Sequence, residues 1–90
     1  MRKPTEARLR VLAEVGDHRV RRTGAGWVVC SQPAAATDIR ALSAARADGW
    51  LSTDREPADP IESVPVTLTA EGRAVLARYW PDWRPRDERA

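Results

Sequence analysis

The one cysteine of this 90-residue chain, Cys30, and its one histidine, His18, are the first pair to weigh for covalent chemistry. A Cys–His pair can act as nucleophile and base when the imidazole reaches the thiol. Cys30, however, closes the apolar run Val28-Val29-Cys30, where a buried core thiol is expected. His18 stands alone beside a helix end. Two such ligands fall short of the three or four that a zinc site needs. Gly24-Ala25-Gly26 matches no phosphate-binding glycine loop. No catalytic, metal or cofactor site is therefore expected.

A second kind of chemistry is carried by guanidinium groups. Arg19, Arg21 and Arg22 lie in one short segment, with Arg8 and Arg10 just before it. Clustered guanidiniums suit phosphate oxygens, and binding them releases counterions. The same residues also suit a solvated surface, and composition does not choose between the two. The net charge is +2, unevenly spread. Residues 1–30 carry +4, residues 31–60 carry −2 and residues 61–90 are neutral. A partner attracted by charge is expected to meet the first third.

With one cysteine there is no intramolecular disulfide, a staple that small secreted domains commonly use. Charges at Arg2, Lys3, Glu6, Arg8 and Arg10 leave no apolar stretch for a signal peptide. The uncharged run Thr23 to Thr37 is too short and polar to span a bilayer. A cytoplasmic protein without membrane contact is expected. The length suits one domain with a thin core. There is no Phe, so Trp27 and Trp50 are expected to fill that core.

Several elements must position these groups. Thr5 caps a helix over residues 6–15, with Leu9, Leu12 and Ala13 on one stripe, Val11 and Val15 beside it, and Gly16 as a left-handed stop. Residues 18–23 and 27–30 form a short hairpin around Gly24-Ala25-Gly26. Thr37 caps a second helix to about Asp48. Ile39 and Leu42 face inward, and Asp38, Arg40, Ala41, Ser43 and Ala44 face out. Gly49 ends it, and Trp50-Leu51 begin a strand. The polar segment Ser52 to Ser63 holds a single large apolar residue, Ile61. Val64, Val66 and Leu68 alternate as a strand, with Pro65 placing it at an edge or a strand start. Thr69 caps a last helix bearing Val75, Leu76, Tyr79 and Trp80, and Pro81 ends it.

Two signatures sharpen this order. One is Thr37-Asp38-Ile39-Arg40-Ala41-Leu42, leading through Ala45 to Asp48-Gly49-Trp50-Leu51. The other is Val66-Thr67-Leu68-Thr69-Ala70-Glu71-Gly72-Arg73. Together, over roughly residues 37–79, they resemble winged helix-turn-helix proteins, including the MarR-type and related small bacterial and phage regulators. In that family a recognition helix ends in Gly and two apolar residues that open the wing. The second wing strand runs into a final helix through Leu-Thr-x-x-Gly-Arg. Where the family has a separate helix ahead of the recognition helix, this chain has Gly24 to Pro33.

The resemblance implies an α+β fold: a small winged-helix domain over residues 1–80, with three helices, a short β-hairpin and a two-stranded wing. Residues 81–90 form a charged, Pro-containing tail. It further implies transcription regulation through double-stranded DNA, with Thr37, Arg40 and Ser43 in the groove and Arg19, Arg21 and Arg22 on phosphates. The wing segment has one base, Arg55, among Asp54, Glu56 and Asp59, which suits a protein-facing or solvated loop. Tyr79, Trp80 and Trp83 are candidate interface anchors for a homodimer, or else cap the core locally. The second expectation, from a different class, is a winged-helix module that binds a protein partner without DNA.

Overall fold

Helix α1 (Glu6–Gly16) starts where the Thr5 hydroxyl accepts the Arg8 amide at 3.2 Å, as the cap residue predicts. Its buried face is Val11, Leu12, Ala13 and Val15. In the computed structural model, which describes residues 4–84, α1 is followed by strands β1 (Val20–Thr23), β2 (Gly26–Val29) and β3 (Gln32–Pro33). Helix α2 (Ala36–Ala47), strands β4 (Leu51–Thr53) and β5 (Ser63–Leu68), and helix α3 (Ala70–Tyr79) complete the order. The strands make one antiparallel sheet in the order β3-β2-β1-β5-β4. The architecture is thus α+β, with more strands than the hairpin and two-stranded wing expected. Residues 85–90 of the anticipated tail lie outside the described residues. Among those described, no helix is long and apolar enough to cross a membrane.

One face of the sheet supplies the core. Val20, Trp27, Val66, Leu68 and Leu51 are buried from it in one cluster with Leu12, Leu42, Trp50, Val75 and Leu76, and Val64 is buried on the same face. Strand alternation puts Ser52, Thr67, Pro65, Arg21, Val28 and Pro33 on the opposite, open face.

Proline 65 is not on an edge strand, because β5 lies between β1 and β4. Strand β5 changes partner along its length. Ser63, Val64 and Pro65 pair with β1, and Val66, Thr67 and Leu68 pair with β4. Pro65 sits at that change, where only one neighbour is in register, so its missing N–H interrupts no two-sided ladder.

Gly16 does not stop α1 in a left-handed conformation. His18 does, at φ 62°, with its N–H bonded to the Val15 carbonyl and the Arg19 N–H to the Glu14 carbonyl. This is the paired closure usually given to glycine. Gly16 is occupied by a different demand: a Cβ there would stand 2.6 Å from Cζ2 of Trp83 and 3.2 Å from Cδ1 of Leu68. Gly16→Ala is therefore expected to cost about 1–3 kcal/mol by overpacking. With Trp83→Ala already in place, the same change is expected to add up to about 1 kcal/mol through helix propensity. Urea titration of the four chains tests this sign reversal. Equal effects in both backgrounds would remove Trp83 as the cause.

Cys30 is exposed, not a core thiol. The reason is a second hairpin. Val29 pairs with Gln32, leaving Cys30 and Ser31 as a two-residue turn with φ 53° and 68°. Two left-handed residues in succession match the twist of a tight antiparallel hairpin. The turn throws the thiol outward, where it donates to Glu14 Oε2 at 3.6 Å.

Candidate nucleic-acid interface

Helix α2 begins two residues earlier than its sequence suggests. The cap is Ala35, which offers no side-chain acceptor, and Thr37 lies inside the first turn. The helix is also rotated from the expected face. Ala41, Leu42 and Ala45 are buried, whereas Ile39 is 42% exposed. Two small residues let α1 approach closely where a β-branched side chain would hold it off. Two exposed ion pairs from α1 accompany this rotation: Arg10 bonds Asp38 at 3.2 Å and Arg8 bonds Asp48 at 3.1 Å. Arg8 also lies over the Trp50 ring, 5.9 Å from its centroid. The carbonyl of Ala45 receives the Trp50 N–H and that of Arg46 the Gly49 N–H, while Gly49 takes φ 81° as its position predicts.

This rotation decides what α2 presents outward. Thr37, Arg40 and Ser43 are all exposed and share one side of the helix, with Ala36, Ile39 and Ala47 around them. Both carboxylates of the segment, Asp38 and Asp48, are paired with arginines of α1. Arg40 has no ion pair or hydrogen bond among the described residues. The outer face of α2 therefore carries Arg40 among small residues and Ile39, with Asp38 and Asp48 paired to arginines of α1. The first-turn amides carry no side-chain cap and point their partial positive charge outward at the same end.

The arginines of the first third do not form one cluster. Arg19 lies 3.6 Å from Glu14. Arg21, on the open face of the sheet, donates through Nε to the Ser63 hydroxyl and through Nη2 to the Ser63 carbonyl at 3.1 Å. Arg22, one residue on, is on the opposite face and stacks over Trp27 at 4.7 Å, its Nε buried without an acceptor. Adjacent strand residues point to opposite faces, so a run of two arginines cannot serve one ligand surface.

The segment between β4 and β5 is tied down by its own polar groups. Asp59 Oδ1 accepts the amides of Ile61 at 3.0 Å and Glu62 at 2.8 Å. Glu62 Oε2 accepts the Ala58 amide at 2.6 Å, and Glu62 also pairs with Arg55. Arg46 of α2 pairs with Glu56. The hydrogen bond from Arg46, with the charges of Arg46 and Arg22, holds the exposed Glu56 carboxyl below its ordinary pKa. The backbone of Asp59 packs on Gly24, where a Cβ would meet its carbonyl carbon at 2.6 Å. At this segment's surface Ile61 is 91% exposed. Its isolation among polar neighbours was the sequence signal for it.

The C-terminal aromatics separate as well. Trp83 and Tyr79 are half-buried and pack on the core, and the Trp83 indole N–H is buried without a partner among the described residues. Trp80 is 42% exposed. Comparison with protein-family models, characterised proteins and solved structures gives no match to this chain.

Proposed function

We propose that this chain is a small winged-helix DNA-binding protein, a transcription regulator or accessory factor, which places α2 in the major groove. The observation that carries this reading is the outer face of α2, where Arg40, unpaired among the described residues, stands between Thr37 and Ser43 and both nearby carboxylates are paired with α1. A major-groove helix needs such a face, since arginine reads guanine and hydroxyls reach base or phosphate. The uncapped amides at the start of α2 add donors suited to a phosphate. The order of elements supports the same reading. Strand β1 pairs with β5 beside the β4–β5 hairpin, and α2 runs straight into that hairpin through Gly49. The hairpin β2–β3 stands where a winged helix-turn-helix has its extra helix. The phosphate-binding role anticipated for Arg19, Arg21 and Arg22 is here confined to Arg21, the one exposed member without a carboxylate partner.

The test is a salt titration with random duplex DNA. The chain is expected to bind with a dissociation constant of about 10⁻⁴–10⁻⁶ M at physiological salt. Arg21→Gln should make the log–log salt slope shallower by roughly 0.9, whereas Arg40→Ala should cost about 1–3 kcal/mol on a preferred site and much less on random DNA. Arg73→Ala, an equally unpaired exposed arginine on α3, should leave both unchanged. No affinity at low salt would overturn the reading and favour the protein-binding module. One observation already speaks for that second reading: Ile39 is exposed on the same face as Arg40.

A further inference from the structure

We propose, resting on the reading of α2 as a groove helix, that Arg46 is a further phosphate contact, held in the free chain by Glu56 and exchanged onto a DNA phosphate on binding. Arg40 and Arg46 are the two cations of α2. Arg46 lies three positions past Ser43 and seven past Ile39, so it continues the flank of the helix on which those two are exposed. It stands in the last turn, where α2 runs on into the β4–β5 hairpin. A helix in the major groove has a phosphate backbone beside each flank, and arginines there fix its register. Arg46 is instead paired with Glu56 of the β4–β5 segment. A guanidinium fork fits carboxylate and phosphate alike, so the Glu56 carboxylate takes the place that such a phosphate would fill.

The pair is suited to exchange. The Arg46 side chain is 35% exposed and that of Glu56 61%. An ion pair so open to water contributes little, and breaking it costs little. The freed carboxylate also keeps a counter-charge. Arg46 first, by its hydrogen bond, and then Arg22 by its charge hold the Glu56 carboxyl below its ordinary pKa. The Nε of Arg22 is buried without a partner among the described residues. The chain just beyond Glu56 is tied down by Asp59, Glu62 and the contact with Gly24, so losing Arg46 leaves the segment in place.

The exchange restrains binding. Asp54, Glu56, Asp59 and Glu62 against Arg55 give residues 52–63 a net charge of −3. A phosphate arriving at the end of α2 meets that repulsion, and Arg46 offsets it only once Glu56 lets go.

Salt-titrated binding of the full chain to random duplex DNA tests the proposal. Arg46→Gln should make the log–log slope shallower by roughly 0.9. Glu56→Gln should tighten binding roughly two- to fivefold more than Asp54→Asn does. Asp54→Asn removes the same charge from the same segment, at an exposed carboxylate with no ion pair among the described residues. With Arg46→Gln already in place, the two carboxamide changes should act alike. An unchanged circular dichroism spectrum checks the fold of each chain. Equal effects of Glu56→Gln and Asp54→Asn in the parent chain overturn the proposal, as does an unaltered slope in Arg46→Gln. If binding then still depends on Arg21, the groove reading of α2 stands without the exchange. No binding by any of these chains at low salt overturns both.

Discussion

Leu42→Ala is expected to lower the unfolding free energy by about 2–5 kcal/mol, from lost transfer energy and the cavity left behind. Leu42 is fully buried on α2, in one cluster with Leu12 of α1 and Leu76 of α3. Its neighbours on the helix, Ala41 and Ala45, have no spare reach to fill the space. A domain of this size typically holds about 5–15 kcal/mol in all, so one such loss takes a large share. In urea the midpoint should fall with little change in slope, since the native chain buries nearly the same surface. A midpoint within error of the parent chain would show that α2 is not seated as described.

Gly72→Ala should be comparably damaging, for a reason rooted in backbone instead of volume. A Cβ on Gly72 would collide with the carbonyl of Trp50, lying 3.1 Å from its carbonyl carbon. That carbonyl cannot retreat easily. It accepts the Thr69 amide at 3.0 Å, while the Thr69 hydroxyl donates to the Gly49 carbonyl at 2.6 Å and accepts the Gly72 amide at 3.1 Å. Helix propensity alone would favour alanine by about 0.8–1 kcal/mol. Overpacking of about 1–3 kcal/mol or more opposes it, so net destabilisation is expected. Thermal unfolding decides the sign: a raised midpoint would mean that α3 docks more loosely. The same contacts explain why two distant signatures, Asp48-Gly49-Trp50-Leu51 and Leu68-Thr69-Ala70-Glu71-Gly72, occur together in one chain. They are the two halves of one joint.

Much of this joint was legible in the residues. Thr5 and Thr69 cap the helices that their hydroxyls predict, Gly49 takes its left-handed place, and Val64, Val66 and Leu68 alternate into the core. What escaped was set by partners far along the chain. Hydropathy puts Ile39 inside and Ala41 outside, but a close helix crossing prefers alanine, and Ala41 and Ala45 are the buried residues. Gly16 signals a helix end by type, yet its smallness serves Trp83, which is 67 positions away. Cys30 completes an apolar triplet, but Cys30-Ser31 forms a tight turn without the glycine or asparagine that marks one. Strand β3 is two residues long and ends in proline, which leaves no alternation to detect. For the site, Thr37, Arg40 and Ser43 do share the exposed face of α2. Arg21 and Arg22 diverge because strand geometry separates neighbours that composition groups together, and Arg19, ahead of the strand, lies at Glu14.

The position of β1 bears on how the chain is made. It is central in the sheet, with β2 on one side and β5 on the other. Its first partner follows at once, but the second, beginning at Ser63 opposite Thr23, is synthesised forty residues later. Until then a nascent chain shows a bare strand edge carrying Val20 and the Arg21–Arg22 pair, a template on which another unfinished chain can pair. The guanidiniums that flank this edge make it positive. Like charge on two such edges disfavours their pairing while β5 is still missing.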